Sequence, residues 1–254
     1  MATEEPLEVR LVHGPSGRRT VFPVSVTMRT PGHDVELAVG FLFGEGIVTV
    51  RETVREVRHC PGGGEQRFNV VEVHLAPGAA IDQALPLRNF YMTSSCGVCG
   101  KASLDAVERR GCVPLPEDGF HLPADRVACL AEGLSEAQAL FARTGGLHAA
   151  GLFDGEGALQ VAREDVGRHN AVDKVVGAGF LAGDVPLARR VLVVSGRASF
   201  EIVQKAVAAG VPLVVAVGAP SSLAVELARR FRLTLVGFAR EGRFNVYSGE
   251  GRIS

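Results

Sequence analysis

The sequence carries no excess of charge of either sign: 27 Lys and Arg stand against 28 Asp and Glu. A global positive field that would capture nucleic acid or anionic lipid is therefore excluded, and any anion site has to be local. Tryptophan is absent and aromatics reach only 6%, but 46% of residues are apolar and 22% charged, the balance of a globular chain and not of a disordered one. A secretory signal is missing too. Glu4, Glu5 and Glu8 stand where basic residues and then an apolar stretch are needed, so the expected compartment is the cytoplasm. The uncharged run over residues 206–225 is punctuated by Gly210, Pro212, Gly218, Pro220, Ser221 and Ser222, which divides it into strand, turn and helix start and removes it as a membrane span. The cysteines, Cys60, Cys96, Cys99, Cys112 and Cys129, are odd in number and scattered, which excludes a disulfide scaffold in a reducing compartment.

What is present falls into two parts. At ~150 residues per domain, 254 residues allow one or two domains. Residues 7–13 and 20–26 alternate as half-buried strands around a Gly14-Pro15-Ser16-Gly17 turn. Asp34 then stands as the cap of a helix with Leu37, Phe41 and Leu42 on one stripe, and strands are expected over 53–59 and 68–75. This is a small α+β domain, and the boundary is placed near Leu87, giving domains 1–87 and 88–254. A helix is expected over 101–110. A longer one over 123–143 carries Val127, Leu130, Leu134, Ala137 and Phe141 on a buried face, with Cys129 among them as an inert structural thiol. Strands over 147–153 and 159–162, a polar loop Arg163-Glu164-Asp165-Val166-Gly167-Arg168-His169-Asn170 and a helix from Ala171 follow. From Arg190 onward strand and helix alternate, the signature of βαβ units in a mostly parallel sheet, closed by an antiparallel strand over 244–247.

Two sets of residues are suited to chemistry. In Ser94-Ser95-Cys96-Gly97-Val98-Cys99-Gly100-Lys101, two thiols precede an expected helix, whose free N–H groups and dipole favour thiolate, with Lys101 adding a cation. Such a cysteine attacks sulfur donors. A structural zinc site is the competing reading, with Cys60, His59, Cys112 and His121 as irregular further ligands, and spacing alone does not separate the two. The H-x-E and P-C-x-x-C pair of zinc deaminases is missing, as is a strand-following GxGxxG, which disfavours NAD.

The second set lies at the carboxyl ends of the expected parallel strands: Ser195-Gly196-Arg197, residues 218–222 and Arg240-Glu241-Gly242-Arg243. Helix starts and guanidinium forks there suit a pyrophosphate. Arg168 and His169 are second contributors to that crevice, and His148, with apolar neighbours, reads as a core histidine.

The segments TPGHDVELAVGFLFGEGI, TSSCGVCGKASLDAV, GGLHAAGLF, REDVGRHNAVDKVVG, SGRASFEIVQKAVAAGVPLVV and GFAREGRFNVY, in order along most of the chain, resemble the formate dehydrogenase accessory sulfurtransferases of the FdhD family. The resemblance implies a larger α/β domain similar to cytidine deaminase without its zinc ligands. It also implies transfer of persulfide sulfur from a cysteine desulfurase to a molybdenum bis(pyranopterin guanine dinucleotide) cofactor, bound as substrate, for a formate dehydrogenase client. By position, Cys96 corresponds to the persulfide-bearing nucleophile and Cys99 to its partner. Phe238, Ala239, Arg240, Glu241, Gly242 and Arg243 correspond to the cofactor-contacting segment. No tightly held metal is expected, and a homodimer is implied. A nucleotide-binding redox sensor and a zinc-stabilised adaptor for an oxidoreductase remain the alternative classes.

Overall fold

Alternating apolar residues at Leu7, Val9 and Leu11 bury one face of β1 (Glu5–His13), which pairs antiparallel with β2 (Thr20–Arg29). The computed structural model describes residues 1–15, 17–60, 68–79, 104–105, 107–108 and 111–254. After β2 come helix α1 (Asp34–Gly44), β3 (Val54–His59) and β4 (Val70–Leu75), and the four strands form a sheet in the order β2-β1-β4-β3. Asp34 opens α1 but does not cap it. Its carboxylate is taken by the buried Arg29, whose Nε and Nη2 donate to it at 3.0 and 2.9 Å, and the cap position falls to His33 without a side-chain bond.

Of the helix expected over 101–110, the described residues Leu104, Asp105, Val107 and Glu108 are helical. Helix α2 (Ala124–Glu136), α3 (Ala139–Thr144), β5 (His148–Phe153), β6 (Leu159–Asp165) and α4 (Arg168–Ala182) come next. The chain closes with β7 (Val191–Val194), α5 (Phe200–Ala208), β8 (Leu213–Ala216), α6 (Ser222–Arg230), β9 (Thr234–Arg240) and β10 (Arg243–Ser248). Its sheet, ordered β10-β9-β8-β7-β5-β6, is mixed, and this corrects the mostly parallel expectation: β7-β8 and β8-β9 are parallel, but β5 runs antiparallel to both β6 and β7, and β10 antiparallel to β9. The single helix expected over 123–143 is two. Ala137 and Gln138 break it, the buried stripe ends at Leu134, and Phe141 is exposed. Cys129 is likewise exposed on α2 rather than buried among its apolar neighbours.

The first sheet uses residues before the expected boundary and the second uses residues after it; Leu87 itself lies outside the described residues. One buried cluster nevertheless runs from Leu7, Leu11 and Val73 through Leu42 and Val176 to Ile202 and Leu227. Helices α1 and α4 cross at its centre with their backbones in contact: a Cβ on Gly177 would sit 1.9 Å from the Glu36 carbonyl oxygen, and one on Gly40 would sit 1.9 Å from that of Asp173. Only glycine permits that approach. Among the described residues no helix is long and apolar enough to cross a membrane.

Candidate functional site at the strand ends

The carboxyl ends of β7, β8 and β9 are stitched together by backbone bonds. Gly218 N–H donates to Gly196 at 2.9 Å, Phe238 N–H donates to Gly218 at 3.2 Å, and Ser195 exchanges two bonds with Ala149 through its N–H and Oγ. Beside them opens a cavity of about 630 Å³ whose wall includes Gln138, His148, Ser195, Val217, Ala239 and Arg240. Helix α3 forms part of that wall because Glu164 on β6 accepts the Leu140 and Phe141 N–H groups at 2.8 and 2.7 Å, capping a new helix where α2 has stopped. A carboxylate 24 residues on from Leu140 therefore starts the new helix after Gln138.

Residues 163–170 are not a polar loop: they end β6 and begin α4. Arg168 apart, their charges are spent on structure. Asp165, fully buried, pairs with Lys174 at 2.7 Å and accepts the N–H groups of Thr30 and Gly167. Lys174 Nζ donates to the Thr30 carbonyl, Asn170 donates to the Met28 carbonyl, and Arg163 forks onto Glu36 at 2.6 and 2.7 Å. The bonds to Met28, Thr30 and Glu36 tie β2, α1 and the connection between them to β6 and α4. A charge among Val172, Val175 and Val176 was the available signal, because charges in an apolar helix face are almost always paired.

His169 is held, not free. Its Nδ1 lies 3.1 Å from a Glu201 carboxylate oxygen and its Nε2 lies 2.9 Å from Ser199 Oγ. The connectivity is that of a nucleophile–base–acid relay, but Ser199 is the N-cap of α5, its oxygen accepting the Ile202 N–H. With imidazole neutral, Nδ1–H donates to Glu201 and Ser199 donates to Nε2. Burial holds the His169 pKa down to about 4; Glu201 opposes that shift, whereas Arg168 and Lys205 add to it. In the unfolded chain it returns to its ordinary 6.5, so between pH 6.5 and 4 the unfolded state binds the extra proton and stability falls as pH falls. Relative to His169→Gln, the wild type is expected to lose an additional ~2 kcal/mol between pH 7 and pH 4.5, read from urea midpoints. Equal losses in the two proteins would remove this assignment.

His148 is not a core histidine. It lines the cavity, makes no side-chain hydrogen bond to any described residue, and is held neutral by burial and by the nearby Arg168 charge. Arg168 has a buried Nε without a partner among the described residues. At the far edge, Arg240 and Arg243 face each other across a two-residue turn in which Glu241 and Gly242 both have positive φ, 51° and 71°. Neither arginine makes an ion pair with a described residue, and like charges directly opposite repel. Phe238 takes φ 55°, a conformation that costs a bulky residue about 1–3 kcal/mol, and the residue is 40% exposed.

The FdhD/NarQ family model matches residues 2–254. The chain belongs to the FdhD/NarQ family. It is 50% identical over 258 residues to the sulfur carrier protein FdhD of Streptomyces avermitilis, covering all of this chain and 89% of the relative. It is 50% identical over 260 residues to the FdhD of Mycobacterium tuberculosis, covering 100% and 91%. A crystal structure of a protein assigned as a formate dehydrogenase accessory protein, from Desulfotalea psychrophila, superposes with a TM-score of 0.74 at 28% identity, covering 100% of this chain and 90% of that one. Of the residues singled out in this FdhD/NarQ chain, Ala239, Arg240 and Ser195 come together on the cavity wall. Ser221 instead caps α6 through Ala224 N–H, and Phe238, Gly242, Arg243 and Arg197 lie outside that wall. Cys96, Cys99 and Lys101 lie outside the described residues. Gln138, Glu164 and His148 belong to the site and went unread as such in the sequence.

Proposed function

We propose that this FdhD/NarQ chain is a sulfur carrier in which Cys96 takes sulfur from a cysteine desulfurase as a persulfide. It then passes that sulfur to molybdenum bis(pyranopterin guanine dinucleotide), the substrate destined for a formate dehydrogenase. In the loading step the Cys96 thiolate attacks the outer sulfur of the donor persulfide; one S–S bond forms, the donor's S–S bond breaks, and the donor cysteine leaves as thiolate. Cys99 is the partner thiol. The sulfur half of the reading is supported by relatives named sulfur carrier protein FdhD at about half identity along the whole chain. The cofactor half is carried by one observation, the facing Arg240 and Arg243, which form no ion pair with any described residue and whose mutual repulsion a diphosphate relieves. Ala239 then walls the cavity, Glu241 and Gly242 hold the turn, and the exposed Phe238 lies beside it. The same reading takes the protein as a cytoplasmic homodimer whose larger unit shares the cytidine deaminase architecture.

Intact-mass spectra after incubation with a desulfurase and cysteine are expected to gain one or more sulfur atoms, and Cys96→Ala is expected to abolish both this gain and activation of the client. Full client activity with Cys96→Ala ends the sulfur-relay reading. For the crevice, calorimetry with guanosine diphosphate is expected to show binding weakened roughly tenfold to a hundredfold by Arg240→Ala or Arg243→Ala, since charge-assisted bonds contribute about 1.5–3 kcal/mol each.

A further inference from the structure

Between Leu134, the last buried residue of α2, and Leu147 just before β5, the chain makes up one side of the strand-end cavity without packing into the core. Gln138 is buried, but none of residues 139–146 is, and Leu140 and Phe141 are 41% and 42% exposed. Helix α3 lies within this stretch and has only six residues. Isolated helices shorter than roughly 12–15 residues are marginal in water, so α3 does not hold itself together. Its own bonds are local: Ala142 N–H donates to the Gln138 carbonyl, Gly145 N–H to that of Phe141 and Thr144 Oγ1 to that of Leu140. Among the described residues its one hydrogen-bond partner in another element is the Glu164 carboxylate, which accepts the Leu140 N–H on one oxygen and the Phe141 N–H on the other.

The two sides of this contact differ in firmness. Glu164 stands on β6, paired with Ala149 of β5, and its carbonyl accepts from Lys174 Nζ at 3.2 Å. The α3 side has a pivot at each end: Gln138, whose ψ of 66° is outside the helical region, and Gly145, at φ 65° and followed by Gly146. Segments with few buried apolar contacts and solvent-exposed hydrogen bonds are the ones that open locally while the rest of a fold stays closed. Phe141, Gly145 and Gly146 all line the cavity, so opening here removes that side of it.

We infer that residues 139–146 are a lid on the strand-end cavity and that the Glu164 carboxylate is its latch. Latched, α3 is formed and the cavity keeps the side that Phe141 and the two glycines supply. Released, the segment unwinds between Gln138 and Gly145, and the cavity opens to solvent. The lid sets how fast a ligand escapes, not which ligand is taken. The inference rests on the cofactor reading above for the ligand that is retained, whereas the latch is a property of the free protein.

The test has two parts, both on the full-length protein. Amide hydrogen exchange without ligand, read residue by residue by NMR, compares the wild type with Glu164→Ala and Glu164→Gln. In Glu164→Ala the Leu140, Phe141, Ala142 and Gly145 amides are expected to exchange about tenfold faster or more, while the amides of β5 keep their protection. Glu164→Gln, which retains one acceptor oxygen without the charge, is expected to fall between. In stopped-flow displacement, a fluorescent guanosine diphosphate analogue is expected to leave Glu164→Ala about tenfold faster than the wild type. Wild-type protection at Leu140 and Phe141 in Glu164→Ala overturns the latch. Faster exchange there with an unchanged dissociation rate overturns the lid, because the segment then opens without governing the ligand. Lost protection in β5 as well makes Glu164 a general support of the fold and overturns the lid too. Failure of the wild type to bind the nucleotide overturns the cofactor reading, and the exchange data still uphold or overturn the latch.

Discussion

Alanine at position 177 is expected to destabilise the protein by about 3 kcal/mol or more, the upper end for overpacking, because the added methyl meets backbone rather than a side chain that can turn away. The contact is 1.9 Å from the Glu36 carbonyl oxygen and 2.7 Å from its carbon, and the reciprocal Gly40 is as tightly placed against Asp173. Separation of the helices is opposed at both ends of the crossing. Arg163 forks onto Glu36, and the Phe43 and Phe180 rings pack with centroids 5.3 Å apart. Urea denaturation of Gly177→Ala and Gly40→Ala measures the effect. A loss under 1 kcal/mol in either would mean that α1 and α4 do not cross as closely as described.

The second large effect lies one turn away. Lys205 Nζ holds both oxygens of Asp173, at 2.8 and 3.1 Å, with the two side chains 2% and 4% exposed. Glu201 lies 3.6 Å from the same ammonium, and the Phe41 ring is 5.8 Å from it. The attraction of these carboxylates keeps Lys205 charged against its burial, which by itself favours the neutral amine. Asp173→Leu strands that ammonium, and about 3–5 kcal/mol is the expected cost of a buried charge that loses its partner. Lys205→Met leaves a buried carboxyl, and burial already pushes that carboxyl's pKa up. The double replacement removes both desolvation costs together, so a double-mutant cycle is expected to be strongly non-additive, with the double variant more stable than Asp173→Leu alone. Additive costs would show that the two groups do not act as a pair.

The last third of the fold was legible because each strand is one apolar run closed by Gly or Pro: β7, β8 and β9, with α5 and α6 between them, fall within a residue or two of their expected places. Arg240 was legible for the same reason, since a strand end identifies itself. The sheet's direction was not. Nothing local in residues 148–153 says that β5 will pair antiparallel with β7, which is some forty residues further on. Asp34 illustrates a local rule overridden at a distance, its capping carboxylate diverted to Arg29. The break at Gln138 is the same case with functional weight: the helical period continues through it, and only Glu164, arriving on another strand, makes a new helix start there. His148 misled because its neighbours Ala149, Ala150 and Leu152 are buried while its own ring reaches the cavity at the strand's first residue.

The bond from Asn170 to the Met28 carbonyl spans 142 residues, and the glycine crossing joins the same two regions. A ribosome working at roughly 5–20 residues per second therefore exposes the apolar side of α1 for several seconds to half a minute before α4 exists to cover it. The first sheet is finished as hydrogen bonds long before it is finished as a core. Slowing translation within residues 75–167 therefore lengthens the exposure of that apolar side without altering a single residue of the final protein.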